Sequence, residues 1–383
     1  MRQTRLVWLW VCFAAMVLCG CSGEKVSTQP QDGAYQWDEM TVDHSLALEY
    51  ADQFSVDYYE GGYALLTIGE EQRFLVVPEG AEVPAGLEAD VRVLQQPLDQ
   101  IYLVATSAMD LFRELDGIGN LTLSGTKAED WYIEEAQEAM EAGELLYAGK
   151  YNVPDYELIL SEGCDLAIES TMIAHTPEVK EQLERFGIPV LVERSSYESH
   201  PLGRMEWLKL YGVLLDREEA AEAYFDDLMT KMDAITAQEN TGKTVAFFYI
   251  HSSGGVNVRK SGDYVAKAIE MAGGLYCFSD LTEEENALST MNIQMETFYN
   301  QAKEADVLIY NSAVDGELTT MEQLLDKSGL LADFKAVQTG NVWCTGQNLF
   351  QESLGLGELI EDIHTILTQP NPPSELSYLH RLQ

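Results

Sequence analysis

The chain has 383 residues, enough for two domains of ordinary size, and an apolar fraction of 46% that can fill their cores. Its 23 basic and 64 acidic residues leave a formal net charge of −41. A surface of that sign repels nucleic acid and anionic lipid, so neither is expected as a ligand, although a local basic cleft is compatible with the total.

Residues 1–20 read as a targeting segment outside the fold. Arg2 and Arg5 give a positive start, and Leu6 to Leu18 is an apolar run too short for a permanent span. It ends in Leu18-Cys19-Gly20-Cys21, which resembles the lipobox of bacterial lipoproteins and makes Cys21 the expected lipid acceptor. The alternative is an ordinary secretory signal with a chance cysteine. Residues 21–39, rich in Ser, Thr, Gln, Pro and Gly, read as a tether. There is no CxxC and no His/Cys cluster, so neither a zinc site nor a redox pair is indicated. Cys164 and Cys344 lie in or beside apolar strand patterns and are expected as buried thiols.

From Phe54 to Val77 the pattern alternates as strands do, with turns at Gly61-Gly62 and Gly69-Glu70. From Val91 it changes to strand–helix alternation. Strands are expected at 101–104, 165–169 and 188–192, with helices at 107–115, 155–162 and 177–186. The same rhythm returns at 244–250 (strand), 264–272 and 295–302 (helices), 306–310 (strand), 321–325 (helix), 341–345 (strand) and 354–367 (helix). Such alternation implies a mostly parallel sheet with covering helices. The chain therefore divides into an α/β unit over 40–200, connecting helices over 201–242, a second α/β unit over 243–370 and a tail over 371–383.

The longest helical pattern is Asp216 to Ala237. Asp216 is placed to cap it, with Glu219 at capping-box spacing. Ala221, Tyr224, Phe225, Leu228, Met232 and Ile235 form one apolar stripe. About 21 residues at ~1.5 Å each make a rod of roughly 30 Å. It reads either as the strut between the units or as an amphipathic helix packed on one of them.

Several stretches carry a family resemblance. Asp155-Tyr156-Glu157-Leu158-Ile159-Leu160 followed by Gly163-Cys164-Asp165-Leu166-Ala167-Ile168 resembles a helix-then-strand pattern of solute-binding proteins for ferric siderophores, haem and cobalamin. Glu296 through Asp306-Val307-Leu308-Ile309 repeats it. His200-Pro201-Leu202-Gly203-Arg204 with Glu206-Trp207, and Asn341-Val342-Trp343, resemble further stretches of Gram-positive members. The resemblance covers about 90 to 370. It implies two α/β lobes with mostly parallel sheets joined by one long connecting helix, the helical-backbone periplasmic-binding-protein fold. It also implies a lipid-anchored, extracytoplasmic monomer that hands its ligand to an ABC importer permease. Glu157 and Glu296 hold the positions from which the family docks to permease arginines; either is otherwise a solvated helix carboxylate.

Ligands of open parallel sheets sit off the strands' carboxyl ends. There the sequence places Ser170, Thr171, Met172, Arg194 and Tyr197 in the first unit, and Tyr249, His251 and Arg259 in the second. Trp343 and Asn348 belong to the last strand and its loop, and Trp131 to an irregular stretch able to reach the rim. Arginine beside aromatic faces suits an anionic, flat or greasy chelate such as a ferric siderophore, with haem or cobalamin as alternatives. Each arginine could equally pair with a nearby carboxylate. His251 is either a loop residue or an axial haem ligand, for which Met172 or Tyr249 would be the partner. GxSxG, HExxH and dinucleotide fingerprints are missing from the sequence, so an enzyme is not expected, and a surface-anchored enzyme on a bilobal α/β fold stands as the alternative. The six histidines are scattered without ligand spacing, so a bare-metal site is not expected, nor is a resident cofactor.

Overall fold

The computed structural model describes residues 35–282, 290–314 and 316–383. The expected signal peptide, Cys21 and most of the expected tether lie outside the described residues. The tether is shorter than expected, because Trp37 is buried and packs on Tyr59 with ring centroids 4.8 Å apart.

The first sheet is the alternating region. Phe54–Tyr59, Tyr63–Ile68 and Gln72–Val77 form an antiparallel meander, turned at Gly61 and Gly62, whose φ values of +91° and +85° favour glycine. Val42–Ser45 pairs antiparallel at one edge, and Val91–Gln95 adds parallel at the other. Phe54, Val56, Leu66, Ile68, Phe74 and Val76 face the main core. Tyr63, Leu65, Leu75, Val77 and Trp37 form a second cluster on the outer face. Residues 40–200 thus carry two five-stranded sheets, of which this is the first.

The second sheet is wholly parallel, in the order Val190–Val192, Leu166–Glu169, Ile101–Leu103, Leu121–Ser124, Leu146–Tyr147. The third has Thr244–Ile250, Val307–Tyr310 and Val342–Thr345 in parallel at its centre. Val256–Arg259, antiparallel to Thr244–Ile250, and Thr290–Ile293, antiparallel to Val256–Arg259, extend one side. Leu379–Arg381 closes the other, antiparallel to Val342–Thr345. The expected tail is therefore partly structural: Tyr378 and Leu379 are buried, and Asp362 accepts from their backbone N–H groups at 2.6 and 3.1 Å.

Two consecutive helices join the lobes, Pro201–Leu215 and Glu218–Thr236, and the second packs on Leu356–Thr368 and leads into the strand Thr244–Ile250 of the second lobe. Every residue of Pro201–Leu215 is buried. A helix apolar nearly all round belongs inside a protein. It packs against Met109–Glu114 of the first lobe and against Tyr264–Met271 and Leu356–Thr368 of the second. The next helix, Glu218–Thr236, is amphipathic: Ala221, Phe225, Leu228 and Met232 are buried, while Tyr224 and Ile235 are only partly so. Asp216 does not cap it. Its φ of 56° makes it the left-handed terminus of the preceding helix, a conformation Asp tolerates better than most residues.

The charged side chains of the first joining helix are used. Glu206 is fully buried and accepts from the backbone N–H groups of Glu49, Tyr50 and Ala51 at 2.9–3.2 Å. Glu198, just before the helix, accepts from those of Asp52 and Gln53 and from Trp207 Nε1. A Cβ on Gly203 would lie 2.9 Å from the Tyr50 carbonyl oxygen. The segment entering the first sheet is thus fastened to the first of the two joining helices.

Candidate functional site

The parallel strands of both lobes end in loops: Thr106–Ser107, Gly125–Tyr132, Ser170–His175 and Glu193–Tyr197 in the first, and His251–Gly255, Asn311–Val314 and Gly346–Phe350 in the second. Ligands of such sheets bind there. These loops expose Tyr132 (50%), Met172 (45%), Tyr197 (43%) and Val314 (60%). Large apolar groups left in water at strand ends suit a ligand with an apolar body.

The loops of the two lobes meet. The Tyr132 N–H donates to Gln351 Oε1 at 2.7 Å, Gln351 Nε2 donates to the Asp130 carbonyl at 2.8 Å, and the Tyr132 hydroxyl bonds Gln347. Below them Arg113 pairs with Glu352 at 3.1 Å, and the Leu354 N–H donates to Asp110 at 2.7 Å. Asp110 is fully buried, which pushes its carboxyl up to about 7 against the lowering effect of the Leu354 and Ser353 N–H groups.

Ser170, Thr171 and Met172 begin a short 3-10 turn directly after Leu166–Glu169, with Ser170 Oγ accepting from the Met172 N–H. Tyr249 and His251 stand edge to face, centroids 4.7 Å apart, at the end of Thr244–Ile250. His251 Nε2 is 2.7 Å from Asn292 Oδ1, which also accepts from Asn257 Nδ2. An oxygen that only accepts makes Nε2 the donor, so the neutral ring keeps its Nδ1 lone pair. Asn348 donates to Glu352 at 3.1 Å. Arg194 donates from Nε and Nη2 to Gln53 Oε1 and lies over the Tyr197 ring at 4.5 Å.

Three expected contacts are placed elsewhere. Trp131 is in the core, its Nε1 donating to Ser124 Oγ at 3.3 Å. The exposed aromatic at that rim is its neighbour Tyr132, which sequence reasoning missed although one of two adjacent side chains must face outward. Trp343 is fully buried, bonded to Asn341 and covered by Arg381. Arg259 ends an antiparallel strand that runs back from the strand ends, so it lies level with the middle of the sheet. It packs over Phe247 and Tyr264 and pairs with Asp263 at 3.4 Å.

Glu157 is exposed in the first turn of Tyr156–Ser161, a helix capped by Asp155. Glu296 is exposed in the first turn of Met295–Ala302. Cys164 and Cys344 are buried free thiols, and burial pushes them up to about 12 and about 11. Among the described residues no cluster of three or more His, Cys, Asp or Glu could hold a metal ion, and no helix is long and apolar enough to cross a membrane.

Residues 104–349 match the family model described as periplasmic binding protein; the match begins after the first sheet. An uncharacterized lipoprotein of Methanocaldococcus jannaschii is 24% identical over 96% of this chain and 93% of its own. The periplasmic haem-binding protein HutB of Vibrio cholerae superposes with a TM-score of 0.58 at 18% identity, over 70% of this chain and 98% of that one. An Fe3+-hydroxamate transport protein of Saccharomonospora viridis gives 0.55 at 19% identity, over 71% and 94%. At these identities the structural likeness establishes the two-lobed, helical-backbone fold.

Proposed function

Since the chain belongs to the periplasmic binding protein family, we propose that it is the lipid-anchored, extracytoplasmic solute-binding component of an ABC importer, and that its solute is an iron chelate of the ferric-siderophore type. The observation that carries this reading is the set of exposed apolar side chains on strand-end loops of both lobes: Tyr132, Met172 and Tyr197 on one side, Val314 on the other. Ser170, Thr171, Tyr249, His251 and Asn348 supply polar contacts beside them. The lipoprotein relative supports the anchor. The protein binds one solute and does not turn it over. Haem is the second reading, favoured by the Nδ1 lone pair that Asn292 leaves on His251; cobalamin is the remaining member of the class.

Tryptophan quenching of the purified protein tests it. Trp131, buried next to Tyr132 in the chain, is the reporter. Ferric siderophores of several chemistries, haem and cobalamin are titrated in turn. Saturable one-to-one quenching by a siderophore supports the reading, and quenching by haem or cobalamin alone replaces it with the second. Silence from all of them refutes this solute class. Glu157 and Glu296 are the expected permease contacts. Glu157→Ala leaves solute affinity within twofold and impairs uptake; unimpaired uptake removes Glu157 from that role.

A further inference from the structure

A pocket of about 680 Å³ opens between the first sheet and the edge of the first lobe. No residue of the second lobe lines it, and its sheet side lies outside the family match. It adjoins the first lobe's Glu193–Tyr197 loop through Arg194, which lies over the Tyr197 ring, but it opens on the side of the first sheet and not toward the second lobe.

The two walls carry opposite charge. The lobe wall presents Lys180 and Arg194; the sheet wall presents Asp52, Glu70 and Glu71. The walls are held in register. Gln72 lies against the outer lobe strand as a short strand would, accepting from the Val192 N–H at 2.7 Å and donating to its carbonyl at 3.0 Å. Glu198 and Glu206 fasten five consecutive backbone N–H groups, Glu49 to Gln53, and the last of these residues carries the carboxamide that holds Arg194. Gly69 leaves room for the guanidinium, since a Cβ there would stand 3.1 Å from Arg194 Nε.

Arg194 is thus fixed by a neutral partner. Its hydrogen bonds run to Gln53 at 3.3 and 3.1 Å, and among the described residues no carboxylate pairs with it. A guanidinium that is held but not neutralised keeps its charge and its remaining N–H donors for a carboxylate. Lys180 lies 3.9 Å from Glu184, a loose pair that leaves it a second positive group on the same wall. A polyanion entering this pocket would be repelled by the sheet wall, and a polycation by the lobe wall. A molecule with one group of each sign satisfies both.

We propose that this pocket binds a zwitterionic small molecule of the amino-acid or short-peptide class, with its carboxylate on Arg194 and its ammonium against Asp52, Glu70 and Glu71. Gln53 is the positioning residue of the site. The volume fits such a ligand within the range usual for small-molecule pockets.

The test is calorimetric titration of the purified protein with L-lysine and glycylglycine, and with cadaverine, which is lysine without its carboxylate, at constant ionic strength. At least one of the two zwitterions binds saturably, and cadaverine binds at least tenfold more weakly than lysine. Arg194→Gln weakens zwitterion binding at least tenfold. Gln53→Glu separates charge from scaffolding: it still holds the guanidinium but neutralises it. That variant also exchanges the Gln53 Nε2 donor to Asp52 Oδ1, at 2.6 Å, for a carboxylate, so its melting temperature is measured alongside, and it loses zwitterion affinity at least tenfold. Equal binding of lysine and cadaverine, wild-type affinity in Gln53→Glu, or no binding of either zwitterion overturns the proposal.

Discussion

Glu169 ends the strand Leu166–Glu169, on the face opposite Leu166 and Ile168, beside Tyr102 and Tyr156. It is fully buried, and neither carboxylate oxygen has a hydrogen-bond partner among the described residues. Burial alone pushes its carboxyl up from 4.5 to about 8. Well below pH 4.5 the group is protonated in both the folded and unfolded chain and adds no pH dependence. As pH rises from 4.5 to about 8 the unfolded chain releases this proton and the folded chain keeps it, so folding loses stability throughout that window. Above it both forms ionise and the loss levels off. At about 1.4 kcal/mol per pH unit the full window amounts to about 5 kcal/mol, an upper figure because water entry and relaxation reduce it. Glu169→Gln has the same shape and no proton to lose. Its stability relative to the parent therefore rises with pH, by several kcal/mol between pH 5 and pH 9. Asp110 and Asp362, which burial pushes up to about 7 and about 6, titrate in both proteins and cancel in the difference. Urea unfolding at pH 5, 7 and 9 measures it. Parallel stability curves for the two proteins would show that Glu169 is hydrated or paired and refute the reasoning.

Asp110→Ala leaves the buried Leu354 N–H without its acceptor and costs about 1–3 kcal/mol. Because that bond crosses between the lobes, hydrogen exchange accelerates first at Ser353 to Leu356, and a uniform change across the chain would contradict a local latch. Glu206→Ala strips three backbone N–H groups of their acceptor and leaves Lys209, only 5% exposed, without its buried partner. A loss of about 3–5 kcal/mol is expected in urea unfolding, and a loss under 1 kcal/mol would mean that water replaces the carboxylate.

Local signals carried most of the fold. Gly61-Gly62 between alternating runs marks a turn, and the helices and strands from 155 to 192 fall within about two residues of their sequence limits. The errors lie where a distant partner decides. Asp216 satisfies the capping spacing with Glu219, yet the preceding helix runs through Leu215 and needs a residue that turns left-handed, which Asp also does. Leu379–Arg381 is too short to show a period; it is a strand because Val342–Thr345 has an open edge and Asp362 collects its N–H groups. Arg259 looks like a loop cation because the direction of a four-residue strand is invisible without its pairing to Thr244–Ile250. The stretch His200 to Trp207 shows the same limit in a motif. As a pattern it points to the joining helices, and nothing in it says why Gly203, Glu206 and Trp207 are required together. In the structure all three serve a chain segment about 150 residues earlier: Gly203 leaves room for the Tyr50 carbonyl, Glu206 takes the Glu49 to Ala51 N–H groups, and Trp207 packs on Phe54 and bonds Glu198. A motif on the first joining helix is therefore a statement about the first sheet. Through Gln53 it is also a statement about where the Arg194 charge is held.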